Sequence, residues 1–246
     1  MINILLNGCN GNMGKAMIKY VNNLPDFNIL YGIDKENTDL FNTISKKPDV
    51  IIDFSTVSAT FTALNYAIEN LVPIVIATTG FSQTDNKKIH EFSEAIPIFK
   101  ASNMSYCIHL FSNIAGTLAK KLKNMDIEII EKHHRLKKDA PSGTALMIAD
   151  NINRKCNKKY KFVFDRTSSN PINTNTGRTK NEIGFSSIRG GNLVGEHSVL
   201  FLGESESIEI KHTAYSRNIY IEGALDAAKF IIDKKNGMYS MDDLII

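Results

Sequence analysis

The run Glu131-Lys132-His133-His134-Arg135-Leu136-Lys137-Lys138-Asp139-Ala140-Pro141-Ser142-Gly143-Thr144 concentrates side chains that can move protons and hold anions. The imidazoles of His133 and His134 can exchange a proton near neutral pH. Ammonium groups and the free N–H groups of a helix start both hold carboxylates. The stretch therefore reads as a place where an anionic small molecule is gripped and protonated. Pro141 and Ser142 open a helix, with Ser142 as its N-cap. The N–H groups of Gly143 and Thr144 then have no partner within that helix. One carboxylate could take both of them plus the Thr144 hydroxyl, and Lys137 could meet the same or a second carboxylate. The competing reading pairs Lys137 with nearby Asp139 on the surface and leaves both histidines packed or solvated. Neighbouring residues on a strand face opposite sides. A strand running through both histidines would thus present only one imidazole to a ligand. His90, His109, His197 and His212 lack such surroundings and read as structural.

A second chemical signal lies at the other end of the chain. Ile2 to Leu6 is a short apolar run that suits a buried parallel strand. Gly8-Cys9-Asn10-Gly11-Asn12-Met13-Gly14 follows it, and apolar residues at helical spacing run on to Val21. A glycine turn between strand and helix lets the backbone approach a pyrophosphate seated on the helix N-terminus. Asp34 stands where a second strand, Phe27 to Ile33, ends; its carboxylate could accept from a ribose 2′-hydroxyl. Lys35 follows and could pair with a 2′-phosphate, so both NADH and NADPH remain in play. Phe54, after the strand Val50 to Asp53, and the run Ala77-Thr78-Thr79-Gly80, after Pro73 to Ile76, fall at strand C-termini, the ligand edge of such a sheet.

These motifs need a scaffold, and its outline follows from periodicity. Strands expected near 2–6, 27–33, 50–54, 73–77 and 96–100 alternate with helices near 14–21, 60–70 and 82–95, a pattern that implies a parallel sheet with helices on both faces. Further on, helices are expected at 106–124, 142–155 and 219–235, with a strand at 126–134. Strands at 183–188, 193–202 and 207–214, joined by short turns that include Gly190-Gly191, suggest an antiparallel sheet. The polar stretch 165–182 reads as a long loop, either a lid or a mobile connection. The fold class is therefore α/β. A Rossmann-type doubly wound parallel sheet (1–104 plus 218–246) binds a dinucleotide. An α+β part (105–217), with a mostly antiparallel or mixed sheet, forms a second domain.

Composition removes other classes. The 246 residues include 29 basic and 26 acidic side chains, for a formal net charge of +3. That balance is too even for a nucleic-acid surface. An apolar fraction of 43% can build a core. Cys9, Cys107 and Cys156 are scattered and odd in number, which argues against a disulfide framework or a metal site and suits a reducing cytoplasm. No apolar run approaches the ~18 residues of a membrane span, and the N-terminus lacks the features of a signal peptide.

Together the two motifs resemble the dihydrodipicolinate reductase family, also called 4-hydroxy-tetrahydrodipicolinate reductases. The likeness rests on the glycine loop Gly8 to Gly14 and on the family signature E-x-H-H-x-x-K-x-D-A-P-S-G-T, unbroken from Glu131 to Thr144. Gly195-Glu196-His197 and Ser216-Arg217 add to it. The resemblance implies NADH- or NADPH-dependent reduction of 4-hydroxy-tetrahydrodipicolinate, a cyclic dicarboxylate with a C=N bond, in the diaminopimelate route to lysine. It implies that the part 105–217 binds the substrate and supports oligomerisation, its sheets assembling a homotetramer. It makes His133 the proton donor and Lys137 its catalytic partner. Substrate binding would fall to His134, Lys137, Ser142, Gly143 and Thr144. Gly8, Asn10, Gly11, Asn12, Met13, Asp34, Lys35, Phe54, Ala77 to Gly80, and the turn Ala101-Ser102-Asn103-Met104 would hold the cofactor. Two other readings compete: an acylating dehydrogenase, for which Cys107 is the one candidate nucleophile, and a non-catalytic nucleotide sensor.

Overall fold

The computed structural model describes residues 1–164, 166 and 177–245. The chain divides into two units, Met1–Tyr106 with Asn218–Ile246, and Cys107–Arg217.

The first unit is built on a six-stranded sheet. Its strands are β1 (Ile2–Asn7), β2 (Phe27–Ile33), β3 (Val50–Asp53), β4 (Ile74–Ile76), β5 (Pro97–Lys100) and, near the C-terminus, β11 (Gly237–Tyr239). They lie in the order β11-β5-β4-β3-β1-β2, and every pairing is parallel. Ile, Val and Leu fill β1, β3 and β4, as fits strands covered on both faces. Alternate residues enter separate cores. Ile4, Leu6, Ile52, Val75 and Phe99 join one cluster, with Met17 of α1 (Asn12–Val21) and Ile221, Ala224 and Ala228 of α6 (Asn218–Ile231). Leu5, Ile51, Ile74, Ile76 and Ile98 join the other, with Ala63, Leu64 and Ala67 of α2 (Val57–Asn70) and Ile89 of α3 (Gln83–Phe92). Helices therefore cover both faces. The chain crosses from β2 over to β3 on the far side of β1, so the loop after β1 sits at the topological switch point.

The second unit carries a five-stranded sheet, ordered β10-β9-β6-β8-β7. Here β6 is Asp126–His133, β7 Lys161–Val163, β8 Glu182–Arg189, β9 Gly195–Leu202 and β10 Ser207–Ala214. The sheet is mixed: β8 pairs parallel with both β6 and β7, whereas β9 runs antiparallel to both β6 and β10. The short Gly190-Gly191 link suggested that the strands before and after it pair directly. They do not, because β6 lies between them. The link spans residues 190–194, long enough to cross one strand, a distance of about 10 Å. Its backbone closes on the end of β6: the Gly190 N–H donates to His133 O at 3.0 Å and the Arg135 N–H to Gly191 O at 3.2 Å. The helices α4 (Tyr106–Lys121) and α5 (Gly143–Lys155) supply Phe111, Ala115, Ala145, Ile148 and Ile152 to a core with Ile127, Ile129, Val199 and Phe201.

Several boundaries differ from expectation. Strand β6 stops at His133 instead of His134, and α6 stops at Ile231 instead of Lys235. Short elements β7, β11 and α7 (Met241–Leu244) went unread, as three- and four-residue segments carry little periodicity. Most of the expected long loop at 165–182 lies outside the described residues.

Candidate active site

In the first unit, a cavity of about 610 Å³ opens where β1, β2 and β3 end. Asn7, Gly8, Asn10, Gly11, Lys15, Asp34, Lys35, Glu36, Phe54, Ser55, Thr56 and Ala59 line it. Gly8 adopts φ +88°, and a Cβ there would lie 2.5 Å from Phe54 O, so only glycine fits this turn. Gly11 is the N-cap of α1 and offers no side-chain hydrogen bond, which leaves the helix start open. Asp34 is held by its neighbours: Oδ2 accepts from the Asn10 N–H at 2.9 Å, Oδ1 from the Lys35 N–H at 2.8 Å. Each oxygen keeps a further lone pair for a ribose hydroxyl. A close-approach glycine turn, an open helix start and a fixed carboxylate in one cavity fit a dinucleotide.

Beneath this cavity lies Asp53, fully buried at the end of β3. It accepts from Asn7 Nδ2 at 2.8 Å, from Thr60 Oγ1 at 2.6 Å and from the Ser55 hydroxyl. Burial pushes its carboxyl up against the opposing pull of those donors. Thr78 belongs to the same network, its Oγ1 accepting from the Ser55 N–H at 2.9 Å.

Six of the sequence-predicted cofactor residues, Gly8, Asn10, Gly11, Asp34, Lys35 and Phe54, line the cavity together. Asn12 and Met13 open α1 beside it. Ala77 to Gly80 follow β4 and Ala101 to Met104 follow β5, on the same edge of the sheet but outside the cavity lining. Ala101 and Met104 are core residues. Lys15 and Glu36 were missed. Each stands one or two positions from a residue that was singled out, which is the signal that would have found them.

In the second unit, the alternation of β6 sends Ile127, Ile129, Glu131 and His133 to its buried face. The strand ends there and a turn begins, with the Lys137 N–H donating to His134 O at 3.1 Å. His134 thus leaves the strand register, and one imidazole remains on the interior face. Glu131 is fully buried. His133 Nδ1 lies 2.5 Å from its Oε2, and Arg189 grips both oxygens, Nη1 at 2.8 Å and Nη2 at 2.6 Å. Burial would push this carboxyl up, but hydrogen bonds from His133, Arg189 and Ser187 outweigh it and hold the group well below the usual carboxylate range.

Ser142 caps α5, its Oγ accepting from the Ala145 N–H at 3.2 Å, and the Ser142 N–H reaches Glu131 Oε1 at 3.2 Å. Its hydroxyl also lies 3.0 Å from His197 Nε2. His197, which read as merely structural, is therefore part of this cluster. Burial, reinforced by the nearby His133, pushes its imidazole down to about 3. Lys137 Nζ sits 2.9 Å from Asp139 Oδ1, as the competing reading of that spacing required. Gly143 and Thr144 open α5 beside them. Arg189 and His197 went unassigned because their partners lie 55 to 58 residues away, beyond any local pattern; Glu131 lies two residues from His133 on the same strand face, so the alternation of β6 was the signal that would have found it. Cys107 is exposed in the first turn of α4.

The sequence pattern of the dihydrodipicolinate reductase N-terminus matches residues 2–104, and that of its C-terminus residues 107–245. This chain belongs to the dihydrodipicolinate reductase family. A dihydrodipicolinate reductase relative from Caldanaerobacter subterraneus subsp. tengcongensis, named 4-hydroxy-tetrahydrodipicolinate reductase, is 43% identical over 252 residues, covering 100% of this chain and 98% of its own. One of the same name from Clostridium novyi is 44% identical over 254 residues, with 100% and 98% coverage. A solved dipicolinate-bound dihydrodipicolinate reductase from Paenisporosarcina sp. TG-14 shares the fold, with a TM-score of 0.81 at 24% identity and full coverage of both chains.

Proposed function

We infer that this chain reduces 4-hydroxy-tetrahydrodipicolinate to tetrahydrodipicolinate with NADH or NADPH, in the diaminopimelate route to lysine. The observation that carries the reading is the folded signature 131–144. It gathers a buried carboxylate–imidazole pair, a lysine and a helix start in one unit of a chain 43–44% identical to reductases of that name.

The bound dinucleotide supplies the hydride. Asp34 and the Gly8–Met13 turn hold its ribose and pyrophosphate, with Ala77 to Gly80 and Ala101 to Met104 along the same sheet edge. Lys137 and the Gly143 and Thr144 amides bind the substrate carboxylates, aided by His134, while Ser142 fixes the helix start. Holding the ring at both carboxylates orients it for reaction. His133 gives the proton that the electron-rich product of hydride addition takes up. Assembly as a homotetramer through the second unit is supported by the apolar residues left exposed there, among them Ile114, Ile188 and Ile208. A cytoplasmic setting is supported by the free thiols of Cys9, Cys107 and Cys156. Among the described residues no helix is long and apolar enough to cross a membrane.

The direct test generates the substrate with its upstream synthase and follows loss of reduced-nicotinamide absorbance with each cofactor. His133→Gln should lower kcat about 100-fold or more with little change in KM. Lys137→Ala should impair both kcat and KM. Unchanged turnover in the histidine variant would remove His133 from the mechanism.

A further inference from the structure

Glu131 is wholly enclosed, and its two oxygens accept from the Arg189 guanidinium, the Ser142 N–H and His133. A carboxylate so supplied with donors stays ionised, and an ionised carboxylate only accepts. The proton in the 2.5 Å contact therefore belongs to His133 Nδ1. The opposite ring nitrogen, Nε2, points toward Gly195, where a Cβ would come within 3.0 Å of it. The backbone is pinned as well, because the Gly190 N–H donates to His133 O at 3.0 Å. The His197 ring packs edge-on against His133, with centroids 5.2 Å apart.

We propose that Glu131 and Arg189 are positioning residues that fix His133 as its Nδ1–H tautomer, so that Nε2 delivers the proton, and that Gly195 keeps that nitrogen uncovered. The proposal rests on the reading of His133 as proton donor given above. In the step, the Nε2–H bond of the doubly protonated ring breaks and a bond forms from that proton to the electron-rich substrate carbon. The ring is left neutral, its Nδ1–H still held by Glu131, and water restores the lost proton. Arg189 enters from the end of β8 and does not touch the reacting atoms. Its part is to keep Glu131 charged and in register. Among the described residues, His197 from β9 packs against the ring, Lys137 from the turn before α5 and His212 from β10 act on His197, and Asp139 from that turn acts on Arg189.

The test is nitrogen-15 NMR of the histidine-labelled protein, with His133 assigned from the His133→Gln spectrum. At a pH where the ring is neutral, the proton should sit on Nδ1 and Nε2 should be bare. In Glu131→Gln the tautomers should mix, kcat should fall at least about 10-fold with KM changed less than about two-fold, and the alkaline limb of the kcat profile should move to lower pH. Arg189→Lys should give a weaker version of the same pattern, and Glu131→Asp should restore part of the loss. An Nε2–H tautomer in the wild-type protein overturns the proposal. So does a folded Glu131→Gln or Arg189→Lys variant that keeps the wild-type tautomer and pH limb while losing only thermal stability. If Glu131→Gln does not fold, the wild-type spectrum and Arg189→Lys still decide. Should the tautomer be as stated while His133→Gln keeps full turnover, the function assigned to His133 fails and the carboxylate–imidazole geometry stands.

Discussion

Lys137 already has an anion. Its ammonium lies 2.9 Å from Asp139, and the same carboxyl is held low, first by that ammonium and more weakly by the Gly143 backbone. Asp139 is the more exposed member of the pair, so the contact is screened by water and modest in strength. In the role proposed for Lys137, an incoming substrate carboxylate must compete with Asp139 for the same cation. Asp139→Asn should therefore tighten dipicolinate binding about two- to five-fold, the scale of a surface ion pair, as read by calorimetric titration. Weaker binding in that variant would instead make Asp139 the residue that aims Lys137. Under the proposed role of Lys137, the surface pairing and the ligand-binding reading of this spacing become successive uses of one ammonium group.

Elements hold these side chains through buried polar ties as much as through apolar packing. Asp53 joins the ends of β1 and β3 to α2 through Asn7, Ser55 and Thr60, directly under the glycine turn. Removing it strands several buried donors at once. Asp53→Ala should cost at least about 1–3 kcal/mol in urea unfolding and weaken NADH binding, because Asn7 and Ser55 line the cavity. Unchanged cofactor affinity would show that the turn keeps its shape without this anchor. In the other unit, β6 plays the comparable part. Flanked by β8 and β9, it carries Glu131 and His133 on one face, and the link between its neighbours closes over its end.

At the scale of the whole molecule, the buried groups Glu131 and His197 of one unit and Asp53 of the other answer acid with opposite signs. In the unit Cys107–Arg217, His197 is pushed down to about 3 and Glu131 well below the carboxylate range. Both groups bind fewer protons folded than unfolded. Their contributions are present above the unfolded values, ~6.5 for histidine and ~4.3 for glutamate. They fade as pH falls, from about 6.5 downward for His197 and from about 4.3 downward for Glu131. Asp53 in the other unit has its carboxyl pushed up by burial, so acid relieves a cost there. Hydrogen exchange corrected for intrinsic rates, followed from pH 7 to pH 4, should show residues 107–217 losing protection before residues 1–106. Equal loss in both would mean that these buried groups do not set the acid response.

Local chemistry determined much of this protein. Apolar runs broken by glycine marked the strands and the turn at Gly8. Ser142 announced its helix, and the spacing of Lys137 and Asp139 announced their pair, because each depends on residues within a few positions. Strand order was decided only by the tertiary structure. The placement of β6 between β8 and β9 comes from long-range pairing and shared burial, which leave no short-range periodicity. That same order made Arg189, Gly195 and His197 neighbours of His133, while Glu131 already stood two residues before it on β6. An imidazole's reactivity depends on what surrounds it, and those surroundings exist only once distant strands have come together.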